Sequence, residues 1–301
     1  MGYSGRYHAA SLVAVFIALA IGILIGVGLA DDVVSGASEE IEASLRDDLD
    51  VAEARIEQLE FQLEREQQFS FRAFPAVVSG RLAGSSVAIV GVGELPDETL
   101  ADAEAALEPA GARVAAEAVI AVPADVEALV DAAGAKYAAA RRGGAPLTKL
   151  GNDLGSAMAG GGRLLESVSP ELFSRFSGRL AEVDRIVLVP SDLSELEGPE
   201  AAEAEALLDG IFAGVDAGTA GSVAVERSET DPTTLGQARD AGVSTVDNSD
   251  QLAGKAAIVL VLAGAEGSFG VKESAEVFLP DLLGAGGAAG GPPGQAGSGA
   301  R

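Results

Sequence analysis

The strongest pattern along the chain is an apolar run from Ala9 to Ala30, AASLVAVFIALAIGILIGVGLA. These 22 residues carry no charge, and Ser11 is their only polar side chain. At the rise of an α-helix the run reaches roughly 33 Å, enough to cross the hydrocarbon core of a bilayer. A core helix of a soluble protein would show a polar face, and this segment shows none. The competing reading is a cleaved signal peptide, with Gly28-Leu29-Ala30 as a small-residue cleavage site. The apolar run is longer than the core of such a peptide, so an uncleaved anchor is expected. Arg6 precedes the run, and Asp31 and Asp32 follow it. The positive-inside rule then predicts a single-pass protein of the cytoplasmic membrane. Residues 1–8 would be cytoplasmic, residues 9–30 would span, and everything after them would be extracytoplasmic.

Within the span, Ala10, Ala14, Ala18, Gly22, Gly26 and Ala30 recur every fourth residue. Small side chains at that spacing form a shallow groove where two helices approach closely, so Ala14, Ala18, Gly22 and Gly26 are candidate dimer contacts. A second apolar seam follows over residues 31–72: Ile41, Leu45, Leu49, Ala52, Ile56, Leu59 and Leu63. From Leu45 its steps alternate four and three, the rhythm of a left-handed coiled coil. Ala52 is its weakest position. Ser38, followed by Glu39, Glu40 and Glu42, reads as a helix start. The alternative is an amphipathic helix packed on the next domain. Phe69, Phe71, Phe74 and Pro75 are expected to close this helix, the aromatics docking it on the globular part.

From Gly80 to Leu283 short β-rich runs alternate with Ala- and Leu-rich amphipathic stretches. Strands are predicted at Ser86–Val92, Arg113–Ile120, Arg185–Val189, Ser222–Val225, Val243–Val246 and Ala257–Leu262. Helices are predicted at Asp97–Leu107, Ala124–Ala133, Leu147–Met158, Pro170–Arg179, Glu200–Phe212 and Pro232–Ala241. Strands apolar on both faces that alternate with helices indicate an α/β domain, a Rossmann-like or flavodoxin-like parallel sheet covered on both sides. Residues 284–301, GAGGAAGGPPGQAGSGAR, cannot bury apolar surface and are expected to be a disordered tail.

Composition narrows the chemistry. The chain has 301 residues, no Cys, one His, two Met and a net charge of −26. Absence of Cys excludes disulfides, thiolate nucleophiles, zinc ribbons and iron–sulfur clusters. The acidic balance opposes nucleic acid and anionic lipid. Val90-Gly91-Val92-Gly93-Glu94-Leu95-Pro96 resembles the start of a dinucleotide loop. However, Pro96 replaces the third glycine, and Asp97 and Glu98 would meet a pyrophosphate with negative charge. A tight strand-to-helix turn is the alternative. There is no P-loop and no nucleophile elbow, and His8 lies beside the apolar run, so a histidine triad in the globular part is excluded. Lys255 and Lys272 are candidate amines only by being present. No catalytic residue, no metal ligand set and no cofactor site is assigned, and a non-enzymatic protein is expected. With Met only at Met1 and Met158, the chain lacks the soft and imidazole ligands of a compact copper site. The short, helix-separated strands also do not read as a membrane barrel.

The N-terminal pattern Arg6-x-His8-Ala9-x-Ser11-Leu12-x-Ala14-Val15-Phe16-x-Ala18-Leu19-Ala20-x-Gly22-x-x-x-Gly26 resembles the opening of the actinobacterial copper transporter family, which includes MctB-like and SteB-like proteins. Ser244-Thr245-Val246-Asp247-Asn248, Ile258–Leu262 and Gly267-Ser268-Phe269-Gly270 resemble its closing segments. The resemblance implies one span, a short coiled coil and an α/β domain. It also implies one of two roles. The first is copper homeostasis in the cell envelope. The second is a dimeric partner-binding role in septal cell-wall regulation, with a SteA-like protein as partner. Arg6, His8 and Ser11 match its N-terminal pattern, and it supplies no catalytic residue.

Overall fold

The computed structural model describes residues 4–281, and for residues 4–6 and 27–43 the backbone alone. The tail expected at 284–301 lies outside the described residues. So do the side chains of Arg6, Ala30 and Ile41. Two compact units result, Met1–Phe69 and Ser70–Arg301.

The described residues of the first unit all belong to helix α1, Ser4–Val78. The polar stretch around Ser38 does not start a new helix, because α1 runs through it unbroken. Helical backbone flanks Ser38 on both sides, so a capping residue there has no coil to terminate. The segment Tyr7–Gly26 is long and apolar enough to cross a membrane, with a mean hydropathy of 2.7.

In the second unit α1 continues past Pro75 to Val78, three residues beyond the predicted end, and stops at Gly80 with φ +73°. Phe74, Val77 and Val78 join the core of this unit, while Phe69 and Phe71 stay exposed. Only one of the three aromatics is therefore part of the packing.

The core of the second unit is a seven-stranded sheet in the order β3-β2-β1-β4-β5-β6-β7. Its strands are β1 Ser86–Val92, β2 Arg113–Ile120, β3 Phe173–Gly178, β4 Arg185–Val189, β5 Gly221–Val225, β6 Thr245–Val246 and β7 Ser268–Phe269. All neighbours are parallel except β2 and β3. Helices α2 (Asp97–Ala110) and α8 (Leu252–Leu262), with the end of α1, cover the face bearing Val87, Ile89, Val187 and Val223. Helices α3 (Val126–Ala133), α4 (Gly144–Met158), α5 (Arg163–Leu172), α6 (Gly198–Gly218) and the short α7 (Gly236–Asp240) cover the other. Both faces are dry, which accounts for strands that read as continuous apolar runs.

Two predicted elements change type. Ala257–Leu262 is not a strand but the end of α8, whose residues Ala256–Leu262 are all buried. A segment buried on every side has no periodicity to read. Here the deciding constraint is that β6 and β7 are parallel neighbours and need a crossover between them. Pro170–Arg179 is not a helix. It is the end of α5 followed by β3, the antiparallel edge strand, whose pairing with β2 overrides local propensity. Predicted helix Pro232–Ala241 shrinks to Gly236–Asp240 because Thr233 and Thr234 are held instead by Glu226. Predicted strand Val243–Val246 shrinks to its last two residues. The short β7 and the 3-10 turn at Ala135–Arg142 went unpredicted.

Candidate functional site

The strand order reverses between β1 and β4, and a cleft of ≈ 200 Å³ opens there at the C-terminal ends of β1, β4 and β5. This is where open α/β sheets bind ligands. The turn after β1 is tight. Gly93 has φ +71°, and a Cβ on Gly91 would overlap the Glu94 carbonyl. Ser191, after β4, donates from its hydroxyl to the Val92 carbonyl at 2.5 Å. Gly91 and Gly93 therefore serve the turn. Helix α2 begins at Asp97 after Pro96, without a side-chain cap, and carries Asp97 and Glu98 in its first turn.

The charges around the cleft are sorted by depth. Glu94, Asp192 and Asp231 stand exposed at its rim. Hydrogen bonds from the backbone and hydroxyl of Ser194 hold the Asp192 carboxyl below the usual carboxylate range. Deeper, Glu226 is 3% exposed and fully engaged. Its Oε1 accepts from Lys272 Nζ at 2.6 Å and from Thr233 Oγ1 at 2.7 Å. Its Oε2 accepts from the backbone N–H and the hydroxyl of Thr234 at 2.7 and 2.9 Å. Arg227 pairs with Asp102 at 2.5 Å, with Glu229 and with Glu98, and Lys255 meets the same Asp102 at 3.0 Å. Burial lowers the Arg227 pKa, but these carboxylates more than offset it and the net shift is upward. Both candidate amines, Lys255 and Lys272, are thus ion-paired rather than free.

Beside the cleft, Asp247 follows β6, is 2% exposed, and accepts the backbone N–H groups of Val271 and Lys272 at 2.7 and 3.0 Å. A Cβ on Gly270, whose φ is +142°, would overlap this carboxylate. Parallel pairing of Thr245 with Ser268 and Val246 with Phe269 brings Ser244–Asn248 and Gly267–Gly270 together. Two segments far apart in sequence form one lock around two buried carboxylates. Sequence reasoning did not single out Glu226, Asp247 or the pairing role of Lys272. The available signal was a carboxylate directly after a short apolar strand, in Val223-Ala224-Val225-Glu226 and Thr245-Val246-Asp247.

The buried acid already has four donors, and the rim would repel an anionic phosphate. Among the described residues no group of three or more His, Cys, Asp or Glu side chains is placed to hold a metal ion.

In the first unit the sequence-predicted sites stand open. The seam side chains Leu45, Leu49, Ile56, Leu59 and Leu63 are 47–58% exposed, and Ala52 is exposed with them. Ala14 and Ala18 are exposed, and a Cβ at Gly22 or Gly26 would meet nothing within 4 Å. His8 and Ser11 are exposed on the same helix.

The profile of one family, described as copper transport outer membrane protein, MctB, matches residues 3–280. The chain belongs to this MctB family. Comparison with curated proteins finds no match. Family membership and the apolar helix both point to membrane association. The match runs through the whole Glu226–Asp247–Lys272 lock as well as the span.

Proposed function

We propose that this MctB-family protein is a single-pass, non-enzymatic envelope protein that dimerises through α1 and recruits a partner. On this reading the span lies in the cytoplasmic membrane, with residues 1–8 in the cytoplasm and the α/β domain, Rossmann-like in organisation, outside it. The observation that carries it is the row Leu45, Leu49, Ile56, Leu59 and Leu63, spaced as a heptad seam and open to solvent along its length. Leucine-sized side chains gain about 1.5–3 kcal/mol each on burial, so five such side chains favour a partner helix strongly. A second copy supplies the same seam in the same register, as a parallel coiled coil requires. The groove through Gly22 and Gly26 precedes it on the same helix and supports close helix contact. A SteB-like role in septal cell-wall regulation, with a SteA-like partner, fits such a scaffold. The saturated Glu226 and the acidic cleft rim support the non-enzymatic reading over nucleotide binding.

Cross-linking of the full chain in membranes tests the dimer. Ile56→Asp or Gly22→Leu should lower the cross-linked fraction, and an unchanged fraction for both variants overturns it. A pull-down from detergent extract that recovers no envelope or division protein overturns the partner role. The family's description names a second reading, copper transport. Calorimetric titration with copper(I) and copper(II) separates the two, because tight stoichiometric binding would replace the scaffold reading.

A further inference from the structure

Strand β3 ends the sheet, so nothing in the sheet pairs with its outer edge. Its residues Ser174–Gly178 are all exposed. The N–H of Arg179 donates to Ala115 O at 3.0 Å, which sets the phase of the antiparallel ladder. Alternation then points the backbone of Arg175 and Ser177 toward β2, and that of Phe176 and Gly178 out of the sheet. The register shifts by one residue between Val119 and Ile120, leaving Ser174 as a bulge. The bulge brings Phe173 and Phe176, three residues apart, onto one face, where their rings stack with centroids 5.6 Å apart. Phe176 keeps 44% of its surface exposed. Arg175 sits on the opposite face, donates only to the Leu95 carbonyl at 3.4 Å, and has no ion pair among the described residues.

We propose that β3 captures an extended acidic segment of a partner protein by strand addition. Outward backbone groups at Phe176 and Gly178 would supply the ladder. The exposed ring of Phe176 would take an apolar side chain on one face, and Arg175 a carboxylate on the other. Charge selects this occupant. Strand β3 carries Arg175 and no carboxylate in a chain of net charge −26, while Arg179 just after it pairs with Glu182 at 2.9 Å. A second copy would set basic strand against basic strand, and like charges across a strand pair are unfavourable. Edge strands are often protected by a charge alone. Here the arginine is accompanied by an exposed phenylalanine, Phe176, stacked on the buried Phe173, which protection does not require. The proposal rests on the partner-recruitment reading and gives it a surface.

The test is panning of the full chain in nanodiscs against a display library of random peptides about nine residues long. Enriched peptides should alternate acidic with apolar residues. Phe176→Pro removes one outward N–H without touching the ladder to β2. Arg175→Glu reverses the charge at an exposed position. Each should weaken a captured peptide about tenfold or more. In hydrogen exchange, the amides of Phe176 and Gly178 should gain protection with peptide, while those of Arg175 and Ser177 are protected already. Enrichment of peptides without acidic residues, or unchanged binding in both variants, would overturn the proposal. So would a shift in oligomeric state with Phe176→Pro, which would make a second copy the occupant. A failed envelope pull-down with intact peptide capture would count against the wider role and leave the strand site standing.

Discussion

At the scale of single residues, the second unit is held by polar groups that composition conceals. Glu226 is buried, and among the described residues Lys272 is its only cationic partner, at 2.6 Å. Removing Lys272 strands a buried carboxylate, so Lys272→Ala should destabilise the domain by about 3 kcal/mol, read by urea denaturation. The double variant Glu226→Gln/Lys272→Met should recover part of this loss. Asp250 offers a pH test. Burial pushes its carboxyl up, but the backbone N–H and hydroxyl of Ser228, both at 2.7 Å, outweigh that and the net pKa is lowered. A folded pKa below the unfolded value means that the unfolded state binds more protons between the two. The contribution is therefore fully present above about pH 4 and lost as pH falls through the folded value. Asp250→Asn should lower stability at neutral pH and converge with the parent chain in acid, measured by thermal melts across that range.

At the scale of elements, the tightest joint is between α4 and α6. Gly151 and Gly155 on α4 lie against Leu207 and Ile211, and Gly210 and Gly214 on α6 lie against Thr148 and Asn152. At each position a Cβ would overlap a carbonyl oxygen of the facing helix. The every-fourth-glycine spacing thus occurs in α1, α4 and α6, with two different outcomes. In α4 and α6 the groove is filled from within. At Gly22 and Gly26 it is open. Gly214→Ala should force α4 and α6 apart and cost about 1–3 kcal/mol, seen as a lower Tm without loss of helical signal. Gly22→Ala should leave the Tm of the second unit unchanged, since among the described residues nothing would meet a Cβ at Gly22 within 4 Å.

At the scale of the whole molecule, the two units carry different kinds of information. The first is one helix with an apolar segment and an exposed seam. The second is a sheet with both faces covered and a group of part-buried ion pairs beside the C-terminal ends of its strands. Absence of Cys makes topology directly measurable. Glu195→Cys, at an exposed position, should react with a membrane-impermeant maleimide in intact cells or spheroplasts. Ser4→Cys should react only after lysis. The opposite labelling pattern would reverse the orientation expected from Arg6, Asp31 and Asp32.

The sequence by itself determined what depends on local pattern. The length and neutrality of the apolar helix, the heptad spacing after it and the first three parallel strands of the sheet (β1, β2 and β4) were all legible. In each case the side-chain period or the sharp change in polarity is a property of consecutive residues. Tertiary structure decided the rest. Leu252–Leu262 is a helix because β6 and β7 need a crossover, and its uniform burial erased the period that would have said so. Phe173–Gly178 is a strand because β2 pairs with it. Lys272 meets Glu226 across 46 positions of chain. Pairing between distant segments leaves no periodic trace in either one, so only the folded chain shows which charges are matched and which edge is left open.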